Sequence, residues 1–575
     1  MRALIDFCPT GANPADAIRG CFEAPRQILV ANSVDQVRPL LESVHALAQQ
    51  GLWCVGYLRY EAAPAFDAAF SVHEPDGPLA CFGVFDFMQP WPTAPDNETA
   101  SIKWQPGLNR SEFDQQMAAI HQAIAAGELY QVNYTAPLKG SFKGDPQTLF
   151  MALQRAQPNG YAAFIDTQAE QVLSVSPELF FDWHGEHILV RPMKGTAPRG
   201  ANAEADAQAI ERLQTSPKER AENVMIVDLI RNDLSRLAQP FSVRTPRLFH
   251  VEALPTVFQM SSDVQASTRP GTTLGDVFAA LFPCGSITGA PKVRAMQMIK
   301  ALEPQARGIY CGAIGMVRPG GHATFNVAIR TVTIHGNNAR CGIGSGITAD
   351  ATANDEWQEW RHKRGFLERA SQPFNLLETL RLEDGKLRDS PSHLARMALA
   401  AAHFSFPFDE NVLKLKLHEL SAQHPRGLWR VRLQLRPNGQ ALAETLPLPA
   451  NPKSVVLQLA SSPFEASDSE FVRFKTTLRT HYDAFAPTTP DVFDTLLWNR
   501  NGEITECTRG NIAVLIEGRW VTPPLHCGLL NGVARANSLR VGSLVEACVR
   551  IEDLPRVEKL TFINSLRGWI NATMK

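Results

Sequence analysis

One segment in the first half of the chain has the hydrophobic spacing of an amphipathic helix. Phe113, Met117, Ile120 and Ile124 recur at intervals of three or four residues, so in a helix they line one side. Ser111 precedes them and can accept a hydrogen bond from a first-turn amide. The pattern therefore predicts a helix that is capped by Ser111.

Two further helical segments each carry a pair of glutamates three positions apart. The run SPKE at 216–219 predicts a capped helix start, and this helix contains Glu219 and Glu222. A third predicted helix, beginning near residue 354, contains Glu356 and Glu359. Residues three apart share a helix face, so two facing pairs would offer four oxygen donors suited to Mg²⁺. From spacing alone, helix capping or an exposed surface explains either pair equally well.

The length of 575 residues exceeds what one hydrophobic core supports and predicts two large domains. A new pattern begins at Phe374, after the charged segment RHKRGFLERA, so we expect domains at 1–370 and 371–575. The stretch 88–106 is rich in proline and polar residues and predicts a surface loop within the first domain.

Composition narrows the class of protein without naming a reaction. A formal net charge of -2 gives no electrostatic case for nucleic acid or membrane as a partner. The N-terminal segment lacks secretory features, and no apolar run approaches the roughly 20 residues that span a bilayer. The ten cysteines form no CxxC pair, and no His/Cys cluster has zinc-site spacing. We therefore expect a reduced, cytoplasmic protein.

Eight segments of the first half follow a recognisable order. They are GELYQVNYT (127–135), SPELFF (176–181), RPMKGTAPRG (191–200), ENVMIVDLIRNDL (222–234), PCGSITGAPKVRAM (283–296), IYCGAIG (309–315), FNVAIRT (325–331) and GIGSGITADATANDEWQEW (342–360). Together they resemble the chorismate-utilising enzymes, which include anthranilate, aminodeoxychorismate and isochorismate synthases. The resemblance implies an α/β (α+β) fold with antiparallel sheets packed face to face and helices outside. It also implies that Glu219, Glu222, Glu356 and Glu359 hold Mg²⁺ against a chorismate carboxylate.

The same resemblance implies a set of substrate contacts. Tyr310 and Arg330 match the family's carboxylate-binding pair, and a guanidinium suits bidentate carboxylate recognition. The backbone amides around Gly344, Ser345 and Gly346 would hold the other carboxylate, since glycine permits close approach. A tight turn and a surface arginine are the alternatives there. The matching segments also contribute the expected substrate-binding residues Gly195, Thr196 and Ser286.

Lys194 distinguishes the members of this family. Anthranilate synthases carry alanine at the matching position, whereas aminodeoxychorismate synthases carry a lysine thought to attack the substrate ring before ammonia displaces it. Glu178 matches the family's general acid/base. Water-using relatives carry a lysine where this chain has Gln131, so both positions favour ammonia as the incoming nucleophile.

Gln259 stands where relatives often have a histidine near the pyruvate-eliminating chemistry. Glutamine cannot shuttle a proton at neutral pH, so the first half suits an enzyme that stops at 4-amino-4-deoxychorismate. The sequence has no nucleophile-elbow cysteine with the His and Glu of a glutamine amidotransferase. A separate glutamine amidotransferase subunit is therefore the expected source of ammonia.

The second half contains four shorter matching segments. They are FNLLETLRLEDGKLRDSPSHLARMALAAAHF (374–404), FKTTLRTHYDAF (474–485), GEITECTRGNIAVL (502–515) and TPPLHCGLLNGVAR (522–535). They resemble the class IV pyridoxal-phosphate proteins, which include aminotransferases and aminodeoxychorismate lyase. The resemblance implies a two-subdomain α/β domain and leaves a homodimer through this domain open.

That family assigns a role to five residues. Lys475 matches the lysine that attaches pyridoxal 5'-phosphate, and Glu506 matches the carboxylate that keeps the pyridine nitrogen protonated. Arg396 and the amides of Val533 and Ala534 match the phosphate site.

The second half departs from its family at two positions. Asn531 replaces the usual proline, and Ala534 lacks a threonine hydroxyl that many relatives offer to phosphate.

Together the halves predict 4-aminobenzoate synthesis for folate, in which chorismate is aminated and pyruvate is then eliminated. Two alternatives remain at this point. One is an anthranilate synthase-like front fused to an aminotransferase-like back, which Lys194 disfavours. The other is a non-catalytic subunit that binds a glutaminase.

Overall fold

The computed structural model describes residues 1–9, 17–92, 99–105, 107–198, 203–253, 257–467, 469–487 and 489–575. These residues form two compact units, Met1–Gln372 and Pro373–Lys575. No helix within the described ranges is long and apolar enough to cross a membrane.

The strands of the first unit build two antiparallel sheets. In chain order they are β1 (Arg2–Phe7), β2 (Ile18–Phe22), β3 (Gln27–Ala31), β4 (Trp53–Leu58), β5 (Ala80–Phe85), β6 (Ala100–Trp104), β7 (Gln131–Gly144), β8 (Tyr161–Asp166), β9 (Gln171–Ser176), β10 (Leu179–His184), β11 (His187–Arg191), β12 (Met193–Pro198), β13 (Arg244–Ala253), β14 (Val257–Ser267), β15 (Gly289–Ala290), β16 (Ala313–Val317), β17 (Ala323–Val327), β18 (Thr331–His335) and β19 (Asn338–Thr348).

The helices of the first unit lie on the outer faces of these sheets. They are α1 (Val34–Gln49), α2 (Arg110–Ala125), α3 (Pro146–Ala156), α4 (Ala203–Thr215), α5 (Pro217–Ser235), α6 (Leu274–Leu281), α7 (Lys292–Leu302), α8 (Ala353–Lys363) and α9 (Gly365–Ser371).

The two sheets pack face to face, as the family resemblance implies. One has the order β15-β7-β19-β18-β9-β8-β1-β2 with β6 beside β7, and the other has the order β12-β14-β11-β10-β17-β16-β4-β5-β3 with β13 beside β14. Buried side chains of β1 and β8 in the first sheet and of β4 and β16 in the second share one apolar cluster. Helices α1, α5 and α6 cover one outer face, and α2, α3 and α7 cover the other. Removal of this apolar surface from water is the main stabilisation of such layers.

Local sequence signals predict two helix starts, and one of the two predictions is correct. Ser216 caps α5, as predicted, by accepting a hydrogen bond from the Glu219 amide at 3.3 Å. The Ser111 prediction is wrong, because Asn109 caps α2 in a reciprocal capping box with Glu112. Asparagine is at least as good a cap as serine and lies two residues earlier.

Two larger segments also differ from the sequence-based expectation. The predicted loop at 88–106 contains strand β6, which pairs with β7; residues 93–98 and 106 lie outside the described residues. The third predicted helix is interrupted at Arg364, which separates α8 from α9. Pairing between distant segments overrides the local turn propensity of the proline-rich stretch.

The second unit contains two sheets and five helices among its described residues. Its strands are β20 (Leu376–Glu383), β21 (Lys386–Leu387), β22 (Leu428–Leu435), β23 (Ala441–Pro447), β24 (Ser454–Leu459), β25 (Asp494–Trp498), β26 (Ile504–Cys507), β27 (Asn511–Ile516), β28 (Arg519–Thr522), β29 (Val545–Glu546), β30 (Lys559–Asn564) and β31 (Gly568–Met574). Its helices are α10 (Ser390–Phe404), α11 (Glu410–Gln423), α12 (Glu470–Arg473), α13 (Thr480–Asp483) and α14 (Val533–Arg540).

The small antiparallel sheet has the order β21-β20-β22-β23 and packs against α10 and α11. The larger, mixed sheet has the order β26-β25-β24-β31-β30-β27-β28-β29. The second unit is thus divided into two α/β parts, as the family resemblance implies.

Candidate active sites

A bulge in the second sheet of the first unit displays Lys194. The pairing of β12 with β14 shifts register between Met193 and Thr196, and Gly195 adopts a φ of 97°. Such bulges bend a strand and redirect a side chain, and the positive φ favours glycine. Asn223 on α5 secures this geometry by donating to the Lys194 carbonyl at 3.3 Å.

The Lys194 amine lies in a crowded polar space. Its Nζ is 3.4 Å from Oε2 of Glu222. A Cβ built on Gly346 would lie 2.6 Å from both Lys194 Nζ and Gln131 Nε2, so the two nitrogens flank this glycine. Gln131 is fully buried, and neither polar atom of its side chain has a partner among the described residues. A buried amide without a partner is costly, so this position is suited to a polar ligand.

Glu178 is almost fully buried and close enough to Lys194 for that amine to affect its pKa. Burial raises its pKa to about 7, although the Ser286 hydroxyl and the nearby amine of Lys194 partly oppose that shift. The Ser286 hydroxyl donates to Glu178 Oε1 at 2.7 Å. A carboxyl group of this kind can both donate and accept a proton near neutral pH.

The two glutamate pairs face a common region. Burial raises the pKa of Glu219, and the neighbouring carboxylates of Glu222 and Glu359 raise it further. Burial and Glu359 likewise raise the pKa of Glu356, whose carboxylate accepts a hydrogen bond from Ser345. The Glu219 side chain forms no reciprocal capping bond, so capping does not account for its carboxylate. Carboxylates that repel one another favour a cation between them.

Two lysines partly balance this negative charge. Lys194 is paired with Glu222, and Lys363 Nζ lies 2.6 Å from Glu359 Oε1 and donates to the Gly344 carbonyl at 2.9 Å. Burial raises the pKa of Glu359, but Lys363 and Lys194 outweigh it, so the net shift is downward. The carboxylates fit Mg²⁺ in charge and donor type. No three of their ligand atoms lie within 4.8 Å of one another, so closing on a metal requires side-chain movement.

Two glycines of β19, Gly344 and Gly346, have backbone amides that point away from the neighbouring strand β7. Gly344 and Gly346 are opposite Thr135 and Asn133 of β7, whose amides point away from β19 to acceptors beyond β7. Antiparallel strands alternate between facing and outward backbone groups, so the Gly344 and Gly346 amides point away from β7. Strand β18 pairs with β19 only as far as Cys341, so these amides lie beyond that ladder. Two outward amides suit an anion.

Arg330 is a partly buried cation with no carboxylate partner among the described residues. Its Nη1 donates to Gln157 Oε1 at 3.2 Å, and its guanidinium lies 5.2 Å from the centre of the Phe366 ring. The Tyr310 ring covers Gly342 so closely that a Cβ there would lie 2.3 Å from it. Burial lowers the pKa of Arg330, and Tyr310 is among the groups that oppose this shift. Burial raises the pKa of Tyr310 well above its usual value.

Gln259 has a structural task that the sequence did not indicate. Its Nε2 donates to the Gly195 carbonyl at 2.8 Å, and its Oε1 accepts from the Thr196 hydroxyl at 3.0 Å. Gln259 therefore holds the bulge that carries Lys194. Sequence reasoning also missed Asn223 and Lys363, although Lys363 is four residues after Glu359 on one helix face.

In the second unit, Glu506 is a buried carboxylate held by neutral donors. The Tyr482 hydroxyl donates to Oε1 at 2.8 Å, while the Leu530 amide and Asn511 Nδ2 donate to Oε2 at 3.1 and 3.3 Å. Burial raises its pKa to about 7 despite these bonds. No Lys, Arg or His in the described chain forms an ion pair with Glu506, so this carboxylate suits a cationic ring nitrogen.

Lys475 lies between α12 and α13, and its carbonyl accepts from the Leu377 amide at 3.0 Å. Burial lowers the pKa of its amine to about 7, and the cations of Arg479 and Arg396 lower it further against the opposing carboxylates. Its Nζ has no hydrogen bond or ion pair with any residue of the described ranges. A neutral, unpartnered amine is ready to react with a carbonyl.

Arg396 is fixed beside the start of α14. Its guanidinium forms two bonds to the buried Glu378, at 2.8 and 2.7 Å, and donates to the Asn531 carbonyl at 3.0 Å. Gly532 precedes α14 without any side-chain cap, which leaves the first-turn amides of Val533 and Ala534 for a ligand. A held guanidinium beside open helical amides suits a phosphate group.

The first unit has clear relatives. A family described as chorismate binding enzyme matches residues 9–369, more than half of the chain. The chain belongs to the chorismate-binding enzyme family. A second family, amino-transferase class IV, matches residues 375–573, which implies pyridoxal phosphate in that unit. The buried Lys475 and Glu506 and the uncapped start of α14 fit this cofactor.

Individual relatives agree with the family match. Aminodeoxychorismate synthase component 1 of Klebsiella aerogenes is 42% identical over 261 residues, which is 45% of this chain and 58% of that protein. Anthranilate synthase component 1 of Aquifex aeolicus is 36% identical over 267 residues, which is 46% of this chain and 54% of that protein. The chain thus spans about half the length of these curated relatives.

A solved structure supports the fold of the first unit. Anthranilate synthase component I from Streptococcus pneumoniae superimposes with a TM-score of 0.52 at 22% identity, covering 63% of this chain and 89% of that one. The likeness confirms the predicted fold of packed antiparallel sheets.

Proposed function

We propose that this chain makes 4-aminobenzoate from chorismate in two steps, each in its own unit. The first unit replaces the 4-hydroxyl of chorismate by an amino group, which gives 4-amino-4-deoxychorismate and water. The second unit eliminates pyruvate from that product. The observation that carries the proposal is the Lys194 amine, which lies beside Glu222, Gln131 and Gly346.

In the first step, the Lys194 amine attacks the substrate ring as the hydroxyl leaves with a proton from Glu178. A carboxyl group with a pKa of about 7 keeps that proton in a substantial fraction of molecules at neutral pH. Ammonia then attacks and releases Lys194, which makes the net change a substitution of hydroxyl by amine. Gln131 offers hydrogen bonds but no charge, so it does not activate water.

The substrate's two carboxylates are proposed to bind at opposite ends of this site. Arg330 and Tyr310 hold one of them, and the outward amides of Gly344 and Gly346 lie beside the other. Mg²⁺, when bound by the two glutamate pairs, neutralises that second carboxylate. Lys363 keeps Glu359 ionised and positions it for the metal.

Ammonia is proposed to come from a separate glutamine amidotransferase. The sequence offers no cysteine, histidine and glutamate arrangement of that kind, and the proposed first step consumes ammonia itself. Ammonium salts should therefore replace the partner in vitro.

In the second step, Arg396 and the first-turn amides of α14 bind the phosphate of pyridoxal phosphate, and Glu506 binds its ring nitrogen. When bound, the cofactor withdraws electrons from the substrate so that a proton can leave and pyruvate can depart. Lys475 moves that proton, which its pKa of about 7 permits in both directions.

The test incubates the full chain with chorismate, ammonium, Mg²⁺ and pyridoxal phosphate and identifies the products by mass spectrometry. We expect 4-aminobenzoate and pyruvate in equal amounts. Anthranilate as the aromatic product would contradict the proposal for the first unit. Accumulation of 4-amino-4-deoxychorismate would leave the first unit intact and contradict the proposal for the second.

A further inference from the structure

Three side chains with soft ligand atoms meet at one edge of the second unit, outside both proposed active sites. The sulfur atoms of Cys527 and Cys548 are 3.9 Å apart, and Cys548 Sγ is 3.5 Å from His526 Nε2. All three ligand atoms lie within 4.8 Å of one another. The sequence contains no His/Cys cluster with zinc-site spacing, so these three side chains come together only through folding.

These distances match a tetrahedral zinc centre. Zinc binds thiolate sulfur at about 2.3 Å and imidazole nitrogen at about 2.0 Å. At a tetrahedral angle those lengths separate two sulfurs by about 3.8 Å and a sulfur from a nitrogen by about 3.5 Å. A disulfide would require sulfurs at about 2.05 Å, far closer than these two.

The backbone around the cluster is well anchored. Cys527 ends a 3₁₀ turn, Leu525–Cys527, and its carbonyl accepts from Asn499 Nδ2 at 3.1 Å. The residues flanking Cys548 are fixed on both sides, since the Ala547 amide donates to a carbonyl of β28 and the Val549 carbonyl accepts from an amide of β26. Such anchoring holds the ligands near their bound geometry before any metal arrives, which lowers the cost of binding.

We propose that His526, Cys527 and Cys548 bind one Zn²⁺ ion, with water in the fourth position. Two thiolates neutralise the ion, and the exposed side chains of His526 and Cys548 give it access from solvent. Residues 528–531 follow the cluster directly, and the Leu530 amide among them donates to Glu506. The metal therefore clamps the segment that leads into the proposed cofactor site.

The test uses the full chain, stripped of metal under reducing conditions and titrated with Co²⁺ as a spectroscopic substitute for Zn²⁺. Thiolate ligands give Co²⁺ a near-ultraviolet charge-transfer absorption that carboxylate ligands do not, so Co²⁺ at the glutamate pairs does not interfere. We expect this absorption to saturate at one equivalent and to disappear on addition of Zn²⁺. Cys548→Ser should roughly halve it and weaken binding at least about tenfold.

Cys8→Ser is the matched control, because Cys8 is the other exposed cysteine of the chain and lies in the first unit. That variant should bind Co²⁺ as the parent chain does. Absence of the absorption, or an absorption that Cys548→Ser leaves unchanged, would overturn the proposal. So would a Cys527–Cys548 disulfide, with no bound metal, in protein kept reduced throughout purification.

Discussion

The two lysines that we propose to react, Lys194 and Lys475, differ in how their charge is balanced. Lys194 lies against the Glu222 carboxylate in a region that contains three further glutamates. Lys475 has no partner within the described residues, and two arginines contribute to lowering its pKa to about 7. The Lys194 amine therefore lies beside four carboxylates that can bind a metal ion. Burial and nearby cations instead favour the neutral form of the Lys475 amine.

The largest effect should come from removing each lysine in turn. Lys194→Ala should lower the amination rate at least about 10³-fold, because the attacking amine is lost, and should leave pyruvate elimination from added 4-amino-4-deoxychorismate intact. Lys475→Ala should do the reverse. Product formation from each substrate, followed by chromatography, measures both rates. Lys143→Ala, a change of an exposed lysine on β7, serves as the control. Loss of both activities in either variant would break the comparison.

The next effect concerns Glu178. Glu178→Gln should lower the amination rate by about 10²-fold or more, because a glutamine cannot donate the proton to the departing hydroxyl. In the parent chain, Glu178 loses its proton as the pH rises through about 7, so kcat should fall above that pH. A pH profile of kcat measures this decrease. The exposed Glu186→Gln variant should show the same decrease in kcat above a pH of about 7. If the decrease persists in Glu178→Gln, Glu178 is not the acid.

A further test addresses the four proposed Mg²⁺ ligands, Glu219, Glu222, Glu356 and Glu359. Glu356→Gln should weaken Mg²⁺ binding, measured at the amination step, by about 10- to 100-fold, and elimination of pyruvate should not depend on Mg²⁺. Since burial and neighbouring carboxylates raise the pKa values of Glu219 and Glu356, protons should compete with the metal as the pH falls. Activity measured against Mg²⁺ concentration at several pH values checks both statements. Equal Mg²⁺ dependence of the two reactions would contradict this assignment.

The smallest effect should be a gain at the cofactor site. Ala534→Thr places a hydroxyl at the first turn of α14, where it can donate to phosphate, and should tighten pyridoxal phosphate binding by about tenfold. Cofactor absorbance during titration of the stripped chain measures the affinity. Ala536→Thr, one half-turn later in the same helix, is the control and should leave affinity unchanged.

Sequence reasoning identified the residues of both proposed sites more completely than their contacts. The four glutamates, Lys194 and Lys475 were found because each belongs to a contiguous motif. Asn223 and the holding role of Gln259 were not, since they act through packing of α5 and β14 against residues far away in the chain. Lys363 was also missed, although its ion pair with Glu359 is local to α8. The class of the fold, layers of sheet and helix, was predictable. The pairing of β6 with β7 was not, because β6 lies in a stretch with the local composition of a loop.

The most direct test of the central claim mixes the Lys194→Ala and Lys475→Ala chains with chorismate, ammonium, Mg²⁺ and pyridoxal phosphate. Neither variant alone should yield 4-aminobenzoate. The mixture should yield it, because one chain supplies amination and the other supplies elimination. 4-Aminobenzoate formation by either variant alone at the parent rate, or none from the mixture, would contradict a chain in which two lysines perform two successive reactions.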